Sequence, residues 1–154
     1  MKTDRRQFLA GSVSALLLAV LAKPTSASAT VMTVHKDPNC GCCHLWAEAM
    51  RRAGFDVRLN DLGDLAPIKA HLGVPAELEG CHTAEIDGYF LEGHVPLSSV
   101  RKLLAERPRV KGLAVPGMPS GSLGMGDDPS ASYDVVAVPL SGKPYLFEPV
   151  RPKT

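Results

Sequence analysis

Three cysteines fall within four positions, Cys40-Gly41-Cys42-Cys43, between a β-prone run and a helical pattern. The β-prone run is Val31-Met32-Thr33-Val34-His35, closed by the turn residues Asp37-Pro38-Asn39. From Cys43 to Ala53, Trp46, Ala49, Met50 and Ala53 share one stripe, with Glu48, Arg51 and Arg52 off it and Gly54 placed to stop the helix. A strand, a cysteine turn and then a helix form the opening of a thioredoxin-like fold. The expected fold class is therefore α/β, one thioredoxin-like domain with a central sheet and flanking helices.

The rest of the chain fits that class. Phe55 to Leu59 alternates as a second strand, and Leu65 to Leu72 reads as a short helix ended by Gly73. Cys81 to Ile86, the turn Asp87-Gly88 and Tyr89-Phe90-Leu91 read as a hairpin. Pro96 to Glu106 is helical, with Leu97, Val100, Leu103 and Leu104 on its apolar face. Residues 111–130, rich in Gly, Pro, Ser and Met, read as a long functional loop. A last hairpin joins Tyr133–Pro139 to Tyr145–Val150.

Residues 1–29 read as a cleaved signal peptide. Arg5-Arg6 precede the apolar run Phe8 to Ala22, and Ala27-Ser28-Ala29 supplies the cleavage pattern. The paired arginines with Phe8-Leu9 point to twin-arginine export, and the run is shorter than the roughly 20 residues of a membrane-spanning helix. The functional domain is then 30–154, in the periplasm and off the membrane. Residues 1–29 hold four of the 17 basic and one of the 16 acidic side chains, leaving 13 against 15. No long basic stretch remains, which argues against a nucleic-acid partner.

All four cysteines lie beyond the signal, where disulfides persist. Their clustering argues for chemistry, and the adjacent pair Cys42-Cys43 is a poor disulfide. Thiolates at a helix N-terminus are favoured by the positive end of its dipole. Three such sulfurs with Cys81 as a fourth suit Cu(I) better than one tetrahedral zinc. The purely structural alternatives pair 40–42 with 43–81, or 40–43 with 42–81. His44 and His82, each directly after a cysteine, are further ligand candidates; His35 and His94 rank lower, and His71 is expected to face solvent. Met118 and Met125, in a Gly/Pro-rich loop with no helical stripe to join, offer thioethers that select Cu(I), against a plain packing role. Trp46, one turn after the cluster, is expected to pack beneath it.

The runs Cys40-Gly41-Cys42-Cys43-His44-Leu45-Trp46, Cys81-His82-Thr83-Ala84 and Gly117-Met118-Pro119 to Gly124-Met125 resemble a family of small exported proteins. Its members are described as a domain of unknown function, as predicted metal-binding proteins or as CopG-type copper-resistance proteins. The resemblance spans about residues 31–150. It implies a thioredoxin-like fold, a periplasmic location and copper bound by Cys40, Cys42, Cys43 and Cys81, as one ion or a multi-copper cluster. A role in copper tolerance, alongside other periplasmic copper-handling proteins, is implied too. Two readings of other classes stand beside it: a thiol–disulfide oxidoreductase working through Cys40 and Cys43, and a disulfide-stapled binding module.

Overall fold

The computed structural model describes residues 29–152; all but the last residue of the expected signal peptide lies outside them. Chain order runs β1 (Val31–Lys36), α1 (Gly41–Arg52), β2 (Asp56–Asp61), α2 (Ala66–Leu72), a 3-10 turn (Ala76–Leu78), β3 (His82–Ile86) and β4 (Tyr89–Glu92). Then come α3 (Leu97–Glu106), β5 (Val110–Ala114), β6 (Tyr133–Pro139) and β7 (Tyr145–Val150). The strands form one mixed sheet in the order β2-β1-β3-β4-β5-β6-β7. β1 and β2 are parallel, as are β4 and β5, each pair joined through a helix, and the other neighbours are antiparallel. No helix of the described residues is long and apolar enough to cross a membrane.

Side chains of successive strand residues point to opposite faces, and two apolar clusters follow from that rule. Leu91, Leu113 and Ala137 pack with Trp46, Ala47 and Met50 of α1 and Val100 and Leu103 of α3. Their chain neighbours Phe90, Ala114 and Val138 pack with Val74 and Leu78. The middle of the sheet is thus covered on both faces. Asp87 and Gly88 both have positive φ (50° and 84°), the conformation a two-residue hairpin turn requires.

One expectation fails. The stretch 111–130 is not loop throughout, because β5 occupies 110–114. A strand buried on both faces shows no apolar–polar alternation, and Gly112 lowers its apparent β-propensity further. Gly112 is there for space. It pairs with Phe90 of β4, and a Cβ would run into the Phe90 carbonyl and ring. Gly112→Ala is therefore expected to cost roughly 1–3 kcal/mol, as overpacking generally does, read as a lower denaturant midpoint.

Candidate metal centre

The cysteine turn takes its shape from both flanks. The Cys40 N–H donates to the Asp37 carbonyl at 3.0 Å, and the Asn39 N–H donates to the Asp37 carboxylate at 2.7 Å. Cys40 is the N-cap of α1, in extended conformation, with no side-chain cap and no acidic residue in the first turn. The positive end of the helix is left to the sulfurs. Cys40 and Cys43 are joined by a disulfide, their Cα atoms 5.4 Å apart, while Cys42 and Cys81 are free thiols. The 40–43 pairing is present without its 42–81 companion. Cys40 and Cys42 sulfurs lie 3.6 Å apart, and Cys43 Sγ lies 3.6 Å from the Cys81 carbonyl oxygen. The ligand atoms of Cys40, Cys42, Cys43 and Cys81 all fall within 4.8 Å of one another.

Beneath the turn, Trp46 is fully buried, as expected. Its indole N–H donates to the Val95 carbonyl at 2.9 Å, and its ring centroid stands 4.5 Å from that of His82. The distal loop closes on the same spot. A Cβ on Gly124 would sit 2.8 Å from the Cys42 carbonyl oxygen and 3.0 Å from the Trp46 nitrogen. Only glycine lets the loop seat on α1 there. Met125 follows directly and is half-buried, whereas Met118 is 55% exposed.

The histidines divide. His82 is fully buried, with Nδ1 3.4 Å from Cys81 Sγ. His44 is not brought to the sulfurs: it stands on the exposed side of α1, 3.9 Å from the Glu48 carboxylate. Its neighbour Cys43 points inward, and consecutive helix residues, at 3.6 per turn, diverge by about 100°. His35 is held by Glu85 and Asn60 within the sheet, and His71 is exposed. His94, ranked low from sequence, is fully buried with Nε2 3.0 Å from Cys81 Sγ. The turn at Asp87-Gly88 carried the signal for it. The register pairing Ile86 with Tyr89 and Thr83 with Glu92, extended two residues, sets Cys81 opposite His94.

Burial sets the protonation of this arm. It pushes the Cys81 thiol up to about 12, with the nearby Cys42 adding to the shift. Burial also lowers His82 to about 3, with further contributions from His94 and Lys69. His94 is lowered by burial against an opposing hydrogen bond to Leu123. Both imidazoles are therefore neutral at pH 7 and keep a lone pair.

Behind Cys81 lies a buried ion pair that sequence reasoning missed. Lys69 of α2 pairs with Glu92 of β4 and also donates to the Gly80 carbonyl and the Thr83 hydroxyl, both at 3.2 Å. Glu92 accepts from the Gly80 N–H and the Thr83 hydroxyl, both at 2.6 Å. Lys69 and Glu92 thus grip both backbone polar groups of Gly80, the residue preceding Cys81.

The family described as "Protein of unknown function, DUF411" matches residues 78–125, which include Cys81 but not the Cys40–Cys43 turn. No curated protein sequence matches the chain. Two solved structures, forms 1 and 2 of copper resistance protein CopG, are each similar at 40% identity and a TM-score of 0.75. Each match covers 80% of this chain and 99% of the other.

Proposed function

We propose a function from one premise: the chain belongs to the family of copper resistance protein CopG. In our reading it is a periplasmic copper-binding protein that serves copper tolerance by holding Cu(I) or exchanging electrons with Cu(II). The ligands are Cys40, Cys42, Cys43 and Cys81, and the observation that carries the reading is their meeting within 4.8 Å. Sulfur donors alone favour soft ions such as Cu(I) over harder ones, and a crowded set of four permits sulfur to bridge more than one ion. Met125, on the loop seated against α1, is the better placed of the two thioethers. The β1-α1-β2 unit with a C-x-x-C pair opening its helix supports a thioredoxin-like core. The twin-arginine pattern ahead of the domain supports export.

The disulfide couples metal and thiol chemistry. Closing Cys40 and Cys43 from two thiolates releases two electrons, enough to convert two Cu(II) ions to two Cu(I) ions. Reopening the bond requires two electrons from a thiol donor. The same bond favours a second reading, a thiol–disulfide oxidoreductase working through Cys40 and Cys43, which requires turnover of a model disulfide without metal.

Cys42→Ser separates the two. Cys42 lies outside the disulfide, so the variant is expected to fold, to keep any metal-free disulfide exchange and to lose Cu(I) binding in a competition titration of the reduced protein. Unchanged copper stoichiometry in Cys42→Ser contradicts the copper reading.

A further inference from the structure

We propose that Lys36 is a positioning residue for the Cys40–Cys43 pair: it ties the cysteine turn to β2 and so sets how readily the disulfide closes. The proposal needs only the disulfide, so it goes beyond the copper reading and stands whichever reading of the site holds. Lys36 ends β1, four residues before Cys40. Met32 and Val34 belong to the core that also holds Trp46 and Met50 of α1, and strand alternation turns Lys36 to the same face.

The Lys36 side chain is only 4% exposed. Lysine is almost never buried this far unless its ammonium is paired. Here Nζ meets the Asp61 carboxylate at 2.9 Å and donates to the Asp37 carbonyl at 3.1 Å. The same carbonyl takes a second hydrogen bond. It closes the turn Asp37-Pro38-Asn39-Cys40 by accepting from the Cys40 N–H at 3.0 Å, and an oxygen with two lone pairs can take both.

A continuous bridge therefore runs from the Asp61 carboxylate through the Lys36 ammonium and the Asp37 carbonyl to the Cys40 N–H. Asp61 pairs with Lys36 in the parallel register of β1 and β2, and the Leu62 N–H donates to the Lys36 carbonyl at 2.9 Å. The far end of the bridge is thus anchored in the sheet. Cys43 is anchored separately, fully buried on α1. Lys36 fixes the Cys40 side of the pair relative to the Cys43 side.

The effect on the disulfide has a definite sign. Closing it against oxidised glutathione passes two electrons and two protons from the Cys40 and Cys43 thiols, and two glutathione thiols form. The closed bond fixes the turn by itself, whereas the open form depends on the bridge. Cutting the bridge frees the open form more than the closed one and so disfavours closure. A cation acting only by its charge does the reverse: it favours thiolates, so its loss favours closure. The two roles differ in sign.

Lys36→Met tests this on the metal-free protein, equilibrated in glutathione redox buffers. Asp61 is 51% exposed, so water can solvate its carboxylate and the variant is expected to fold. The equilibrium constant for closure should fall about three- to tenfold, the net worth of one hydrogen bond, a tenfold fall being about 30 mV. Lys36→Arg, which keeps a charged donor, should recover most of the loss. Gly112→Ala, destabilising but in β5 against Phe90, should leave the constant unchanged. A constant that stays or rises in Lys36→Met, or an equal fall in Gly112→Ala, overturns the proposal. A second measurement needs no variant: amide hydrogen exchange of the reduced, unaltered protein. The Cys40 N–H should stay protected after reduction, and exchange at the rate of an open loop overturns the proposal. Copper is absent throughout, so failure here leaves the copper reading to its own test.

Discussion

Reducing the Cys40–Cys43 disulfide is expected to turn a weak Cu(I) binder into a strong one. With the bond closed, two of the four clustered sulfurs are bonded to each other and only Cys42 and Cys81 remain as thiols. Losing a single outer partner of a ligand costs roughly 10–100-fold in metal affinity, and losing two direct ligands must cost more. Competition against a Cu(I) chelator, run on the oxidised and the reduced protein, is expected to separate the two forms by more than a hundredfold. Equal affinities would mean that Cys40 and Cys43 are not ligands. The ordering follows from sulfur count alone, since Cys40 N-caps α1 and Cys43 lies in its first turn whichever bond its sulfur makes.

Lys69→Met is expected to destabilise the protein by about 3–5 kcal/mol, the usual cost of breaking a buried ion pair from one side. Lys69 is 4% exposed and Glu92 fully buried, so the variant leaves a carboxylate out of water with its counter-charge gone. Domains are typically stable by only about 5–15 kcal/mol, which makes this a large fraction. The double variant Lys69→Met/Glu92→Gln leaves no charge behind and is expected to recover part of the loss. With Glu92→Gln alone as the fourth protein, denaturant midpoints of the parent, the two single variants and the double variant give the coupling between the two residues. A single variant within 1 kcal/mol of the parent would contradict the assignment. The pair also holds the backbone of Gly80 on both sides, so Lys69→Met is expected to weaken metal binding through Cys81, although Lys69 touches no sulfur.

Much of this was legible in the sequence, for local reasons. The cysteine turn, the stops at Gly54 and Gly73, and the final hairpin over Tyr133–Pro139 and Tyr145–Val150 each depend on residues close in the chain. β5 was hidden because a doubly buried strand with Gly112 at its centre lacks the period that marks strands. At the site, nearness in sequence misled for His44, which a helix turns away from its neighbour Cys43. It understated His94, which strand pairing brings 13 residues across a hairpin to Cys81. The Lys69–Glu92 pair joins a short helix to a strand, and nothing within either segment announces it.

The central claim is that four clustered sulfurs bind copper and that two of them, Cys40 and Cys43, also close the disulfide, and thiol counting alongside metal analysis tests it most directly. The metal-free protein as isolated should show two reactive thiols, rising to four on reduction. Cu(I) added to the reduced protein should bind and bring the reactive count towards zero. Copper bound at full stoichiometry with all four thiols still reactive would contradict the account.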